Sequence, residues 1–74
     1  MAIAYMLIVT EMGAEHDAAD EITKFAGVEE VAITYGAWDL VVRIFAESLP
    51  DLDVIVTKIR RLPTVDETVT LIGK

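Results

Sequence analysis

The sequence predicts an α+β fold, one four-stranded antiparallel sheet with two helices on a single face. Three observations carry that prediction. Apolar residues change period along the chain in the order strand, helix, strand, strand, helix, strand. Glycine, proline and capping residues stand where the period changes. Two of the four β segments are apolar on both alternating sets, as interior strands are, whereas the other two are more polar.

The first segment, Ala2 to Thr10, reads AIAYMLIVT. Ile3, Tyr5, Leu7 and Val9 fall on one side and Ala4, Met6 and Ile8 on the other, so both faces of this strand are covered. From Glu15 to Ala26 the spacing becomes helical, with Ala18, Ala19, Ile22, Phe25 and Ala26 on one stripe. Acidic residues crowd the first half of that helix, where the dipole favours them, and Gly27 is placed to stop it. Val28 to Tyr35 alternates Val31, Ile33 and Tyr35 with Glu30, Ala32 and Thr34, which describes a half-exposed strand. After a turn at Gly36, Leu40 to Ala46 is apolar on both sides except for Arg43, a second interior strand.

Ser48 then precedes Leu49-Pro50-Asp51: a hydroxyl at the N-cap, a proline in the first turn and a carboxylate three residues on. Leu52, Ile55, Val56, Ile59 and Leu62 form the buried stripe of the helix that follows, and Pro63 ends it. The last strand, Glu67 to Ile72, sets Thr68, Thr70 and Ile72 against Val69 and Leu71, leaving hydroxyls along one face. Two strand-helix-strand units with right-handed crossovers place the first and third strands in the middle of the sheet, the ferredoxin-like βαββαβ architecture.

A consequence follows for association. Both helices cover one face, yet the central strands carry apolar residues on both. The open face would be a larger apolar patch than a soluble monomer normally presents, and a second copy about a two-fold axis covers it most economically. A homodimer, with the two sheets facing each other as a dimeric α+β barrel, is therefore expected. Size and composition agree. A domain of 74 residues buries only about 60% of the surface its unfolded chain exposes. It has no cysteine, so disulfides cannot reinforce it. The 54% hydrophobic content exceeds the usual range of about 45–50%, although no apolar run is long enough to span a membrane.

Charge and motifs exclude several classes of function. With six basic and thirteen acidic residues the formal net charge is −7, which opposes attraction to phosphate backbones, so no direct nucleic-acid binding is expected. The apolar start lacks the positive charge of a secretory signal, which points to the cytoplasm. His16 is the only histidine, and with no cysteine no zinc site of ordinary ligands can be assembled within one chain. Its place in the first turn of an acidic helix is that of a solvated residue. The carboxylates at Glu29, Glu30, Asp66 and Glu67 read as solvated edges. No catalytic constellation, phosphate-binding loop or cofactor motif is present, and no cofactor is expected.

The stretch TYGAWDL, Thr34 to Leu40, admits two readings. As a turn, Gly36 supplies a positive φ, Asp39 caps local amides and Trp38 covers the end of the core. As one wall of a pocket, the aromatic ring, the carboxylate and an accessible glycine amide suit a small zwitterion, with Asp39 answering its ammonium group. No lysine lies in this stretch to compete for Asp39.

Residues at three places resemble the ligand-binding and oligomerisation domain of Lrp/AsnC transcription regulators, the domain for regulation of amino-acid metabolism. They are AYMLIVT at the start, VEEVAITYGAWDLVVRI with its Gly-x-aromatic-Asp core, and IRRLPTVDETVTLI at the end. The family more often carries tyrosine or phenylalanine where Trp38 stands. The resemblance spans the whole chain and implies the dimer described above, dimers joined into rings of four or five (octamers or decamers), and an amino-acid effector bound between dimers. Carried over by position, the effector-binding candidates are Tyr35, Gly36, Trp38 and Asp39 from the hairpin loop, with Thr68 and Thr70 from strand four of a neighbouring chain. Full regulators also carry a helix-turn-helix domain. Here the first strand begins at Ala2, so residues 1–74 are expected to form one ligand-binding domain with no DNA-binding domain. Such a domain would act as a sensor or as a partner of full-length regulators.

Two other classes fit the same residues. A small dimeric α+β barrel enzyme, of monooxygenase or isomerase type, would need a polar group inside the barrel. Arg43 and His16 are the only hints of one, and Arg43 better suits an ion pair between subunits. A purely structural assembly domain would bind nothing.

Overall fold

Strand β1 (Ala2–Thr10) runs through the centre of the sheet because one alternating set of its side chains is wholly enclosed. Ala4, Met6 and Ile8 have no exposed surface, and they face the two helices. In a computed structural model that describes residues 1–73, β1 is followed by α1 (Glu15–Thr23), β2 (Val28–Ile33), β3 (Leu40–Ala46), α2 (Leu49–Arg60) and β4 (Val65–Ile72). All strand pairs are antiparallel, and the spatial order is β2-β3-β1-β4. The doubly apolar strands are thus the central ones and the more polar strands the edges, as expected from sequence.

Met6 pairs with Val42 on β3 and Thr70 on β4, and Ile8 with Leu40 and Thr68. This register puts all six residues on the helix-covered side, because residues opposite one another in a ladder share a face. Leu40, Val42 and Ile44 from β3, Ala18 and Ile22 from α1, and Leu52, Val56 and Ile59 from α2 complete the core. Burying eight large apolar side chains of this kind contributes about 1.5–3 kcal/mol each before conformational entropy is set against it.

The opposite face of the sheet carries Ile3, Tyr5, Leu7 and Val9 from β1, Val41, Arg43 and Phe45 from β3, and Val69 and Leu71 from β4. Those on β1 and β3 are half-buried or exposed, and Val69 and Leu71 are exposed at 39% and 51%. Among the described residues no element covers them.

Several boundaries differ from the sequence expectation. Helix α1 stops at Thr23 rather than Ala26. Its last carbonyls are taken up by tight turns, with Lys24 N–H donating to Glu21 O and Phe25 N–H to Ile22 O. The chain must then reverse at Gly27, whose φ of +94° no continuing helix could accommodate. Phe25 still packs on the core, but Ala26 is exposed. Strand β2 ends at Ile33, two residues before Tyr35, and a bulge between Val28 and Glu30 adds a residue that alternation alone did not reveal. Strand β4 starts two residues earlier than expected, at Val65.

Candidate functional site

The β2–β3 hairpin is closed by its own polar groups. Thr34 N–H donates to the Asp39 carbonyl at 2.9 Å, and the Thr34 hydroxyl donates to the Trp38 carbonyl at 2.6 Å. Gly36 turns the chain with φ +109°. On the other side, Asp39 N–H donates to Ile8 O at 2.8 Å, continuing the ladder between β1 and β3.

Asp39 closes that ladder with its side chain. The Thr10 amide on β1 is served by a carboxylate oxygen, donating to Asp39 Oδ2 at 2.9 Å. The Thr10 hydroxyl donates to the same oxygen at 3.3 Å. Thr10 is the one buried polar residue among those described, and this pair of bonds offsets the cost of enclosing its hydroxyl. Asp39 therefore caps a distant strand and not the local amides expected from sequence. Its second oxygen, Oδ1, has no hydrogen-bond partner among the described residues.

Beside this hairpin lies a cleft of about 360 Å³. Tyr35, Gly36 and Asp39 line it together with Thr34 and Ile33, and Glu15 and His16 at the start of α1 form its opposite wall. Sequence reasoning named the first three and set His16 aside as a solvated residue. His16 is indeed exposed, but it stands at the lip of the cleft. Glu15 was read only as a helix-dipole partner, and only the packing of α1 against β2 brings it here. Trp38 is half-buried and does not line the cleft.

Thr68 and Thr70 are elsewhere. Both point to the helix side of the edge strand β4, and Thr70 lines a second groove, between β4 and α2. Within one chain the structure therefore brings Tyr35, Gly36 and Asp39 together, and it keeps them apart from the two threonines.

The polar side chains that could have served an enzyme do not converge. Arg43 lies on the open sheet face, half-buried, and forms an ion pair with Glu29 of its own chain, the only ion pair among the described residues. The pair is intrachain, where sequence reasoning had favoured a contact between subunits. The phenol of Tyr5, opposite Arg43 in the ladder, and the charge of Glu29 both hold the guanidinium's pKa above its ordinary value, so Arg43 is a permanent cation. His16 is on the far side of the sheet from it. Among the described residues no group of three or more His, Cys, Asp or Glu side chains is gathered as metal ligands would be, and no helix is long and apolar enough to cross a membrane.

The chain is thus a ferredoxin-like βαββαβ domain with one apolar sheet face open and a polar cleft at its hairpin. The chain belongs to the Lrp/AsnC ligand-binding domain family, whose model matches residues 3–73. It is 32% identical over 60 residues to an uncharacterised helix-turn-helix-type transcriptional regulator of Pyrococcus abyssi, a match covering 80% of this chain and 40% of the regulator. The chain thus spans about two fifths of the length of the curated relatives it matches. Among solved structures, a hypothetical protein of Pyrococcus horikoshii, PHS023, superposes with a TM-score of 0.95 at 35% identity, over all of this chain and 90% of that one. The protein FFRP-DM1 superposes with a TM-score of 0.96 at 35% identity, over the full length of both.

Proposed function

We propose that this chain is a non-enzymatic effector-binding and oligomerisation module that modulates transcription regulators in the cytoplasm, with an amino acid as its effector. The observation that carries the effector reading is the cleft at the hairpin. Its apolar and aromatic wall, the free oxygen of Asp39 and the Gly36 amide supply what a zwitterion needs, one group for the ammonium and one for the carboxylate. The separation of Thr68 and Thr70 from this cleft fits a site made by two chains, with the hairpin of one and strand β4 of another meeting between dimers.

The open sheet face supports the oligomerisation reading. A second copy covers it and forms a homodimer, and dimers join into octamers or decamers. Effector binding at a seam between dimers shifts the balance of assemblies by its difference in affinity for them. Full-length regulators of the same family enter through the same contacts, and the net charge of −7 leaves DNA contact to them.

Native mass spectrometry with and without the twenty amino acids tests this function. Bound amino acid on an octamer or decamer, near one per chain, supports it, and a bare dimer that ignores every amino acid overturns it. Asp39→Asn is the informative variant, since it keeps an acceptor for Thr10 while removing the charge that meets the ammonium. Its binding is expected to weaken by about 1.5–3 kcal/mol, the worth of a hydrogen bond to a charged group.

A further inference from the structure

The bulge in β2 and the register of β4 gather charge on the open face of the sheet. Glu30 lies opposite Arg43 in the ladder between β2 and β3, and Glu67 lies opposite Val9 in the ladder between β1 and β4. Both therefore share the face that Tyr5, Leu7 and Val41 occupy. Glu29, at the bulge, reaches the same face and holds its ion pair with Arg43 there. All three carboxylates belong to exposed residues. They stand on the two edge strands, around an apolar centre formed by Leu7, Val41 and Val69.

Among the described residues Arg43 is the only cationic side chain on this face. Lys24 follows α1, and Lys58, Arg60 and Arg61 belong to the last turn and C-cap of α2, on the far side of the sheet. The single guanidinium of the open face is already engaged by Glu29. This imbalance does not depend on how a partner is turned. An identical copy laid on the face brings its own Glu29, Glu30 and Glu67 and an Arg43 engaged in the same way. In no register do Glu30 and Glu67 gain a free cation from it. Carboxylates drawn out of water without a partner oppose burial, and like charges brought together across an interface oppose association.

We propose that this acidic rim makes the open face a selective interface, fitted best by a non-identical chain whose own open sheet face has an apolar centre and a rim of lysine or arginine. The inference rests on the reading of this face as the dimer contact. A flat sheet face is matched in shape by another sheet face, so the apolar centre serves an identical and a non-identical partner alike. The rim decides between them. A partner that sets cations toward Glu30 and Glu67 gains charge pairs, whereas a second copy adds repulsion, and specificity is the difference of the two affinities. Self-pairing is thus the weaker use of this face.

The test mixes the intact chain with an equal amount of the same chain carrying Glu30→Lys and Glu67→Lys. In native mass spectrometry at low salt, mixed dimers are expected to outnumber both like pairs together, and added salt is expected to return the mixture towards random pairing. Sedimentation equilibrium gives a second measure that needs no charge reversal. Glu30→Gln and Glu67→Gln are each expected to tighten the homodimer about threefold or more. Glu21→Gln removes the same charge from an exposed position on α1 and is expected to change it by less than about twofold. Equal tightening by Glu21→Gln would assign the effect to net charge and overturn the role of the rim. Random pairing, or homodimers that ignore the two glutamine substitutions, overturns the proposal and leaves the dimer standing. A monomer in every mixture overturns both.

Discussion

Gly27 and Gly36 both hold a positive φ, but they stand in different surroundings. A Cβ on Gly36 would meet nothing within 4 Å, so Gly36→Ala bears only the backbone strain, about 1–2 kcal/mol. A Cβ on Gly27 would come within 2.8 Å of the Phe45 carbonyl oxygen and 2.5 Å of Ile55 Cδ1. The Phe45 amide also donates to Gly27 O at 2.8 Å, which holds the two backbones together and leaves no room to yield. Gly27→Ala is therefore expected to cost about 1–3 kcal/mol more than Gly36→Ala, the range for overpacking. Urea denaturation of the two variants side by side measures the difference, and equal midpoints would contradict it. Both turns were legible as turns in the sequence. The unequal crowding was not, because Ile55 lies on α2, far from Gly27 along the chain.

At the scale of elements, each helix starts differently. Helix α2 has a built cap: the Asp51 amide donates to Ser48 Oγ at 3.3 Å, with Pro50 in the first turn and Lys58 and Arg60 in the last. Ser48→Ala is expected to lower stability by about 0.5–1 kcal/mol, the lower part of the range for a lost N-cap because this bond is long. Thermal unfolding followed by circular dichroism checks it, and an unchanged midpoint would mean that the bond contributes nothing. Helix α1 has no side-chain cap and relies on Glu15 and Asp17 near its positive end. Glu15 thereby holds a helix terminus and lines the hairpin cleft as well. Helix and strand types were all readable from periodicity. The early end of α1 and the bulge in β2 were not, since a reversal at Gly27 and an added residue opposite Arg43 are matters of how the strands meet.

At the scale of the whole molecule, the sheet is finished on one side only. Leu7 sits on the open face between Val41 and Val69, with its backbone fixed in two ladders. Leu7→Glu puts a charge at the middle of the proposed dimer contact while leaving the helix-side core untouched. Sedimentation equilibrium is expected to show dissociation to a monomer, with lower resistance to urea, because a chain this small gains much of its burial by pairing. A variant that remains dimeric would place the contact elsewhere. The Glu29–Arg43 pair lies on this same face. Enclosed by a second copy it is a costly feature unless its remaining donors are met, so it constrains how the partner sits.

The sequence by itself determined the order and type of all six elements, which strands are central, and that one face of the sheet is apolar yet not covered by the helices. These follow from local periodicity and from the count of apolar faces, both of which are linear properties of the chain. It also marked Tyr35, Gly36 and Asp39, since a glycine, an aromatic residue and a carboxylate at a hairpin are visible as text. Tertiary structure alone decided that Asp39 closes the end of β1 through Thr10, that Glu15 and His16 face the same cleft, and that Thr68 and Thr70 lie away from it. Each of these depends on which residues a fold brings near one another across long stretches of chain, and no periodicity carries that distance.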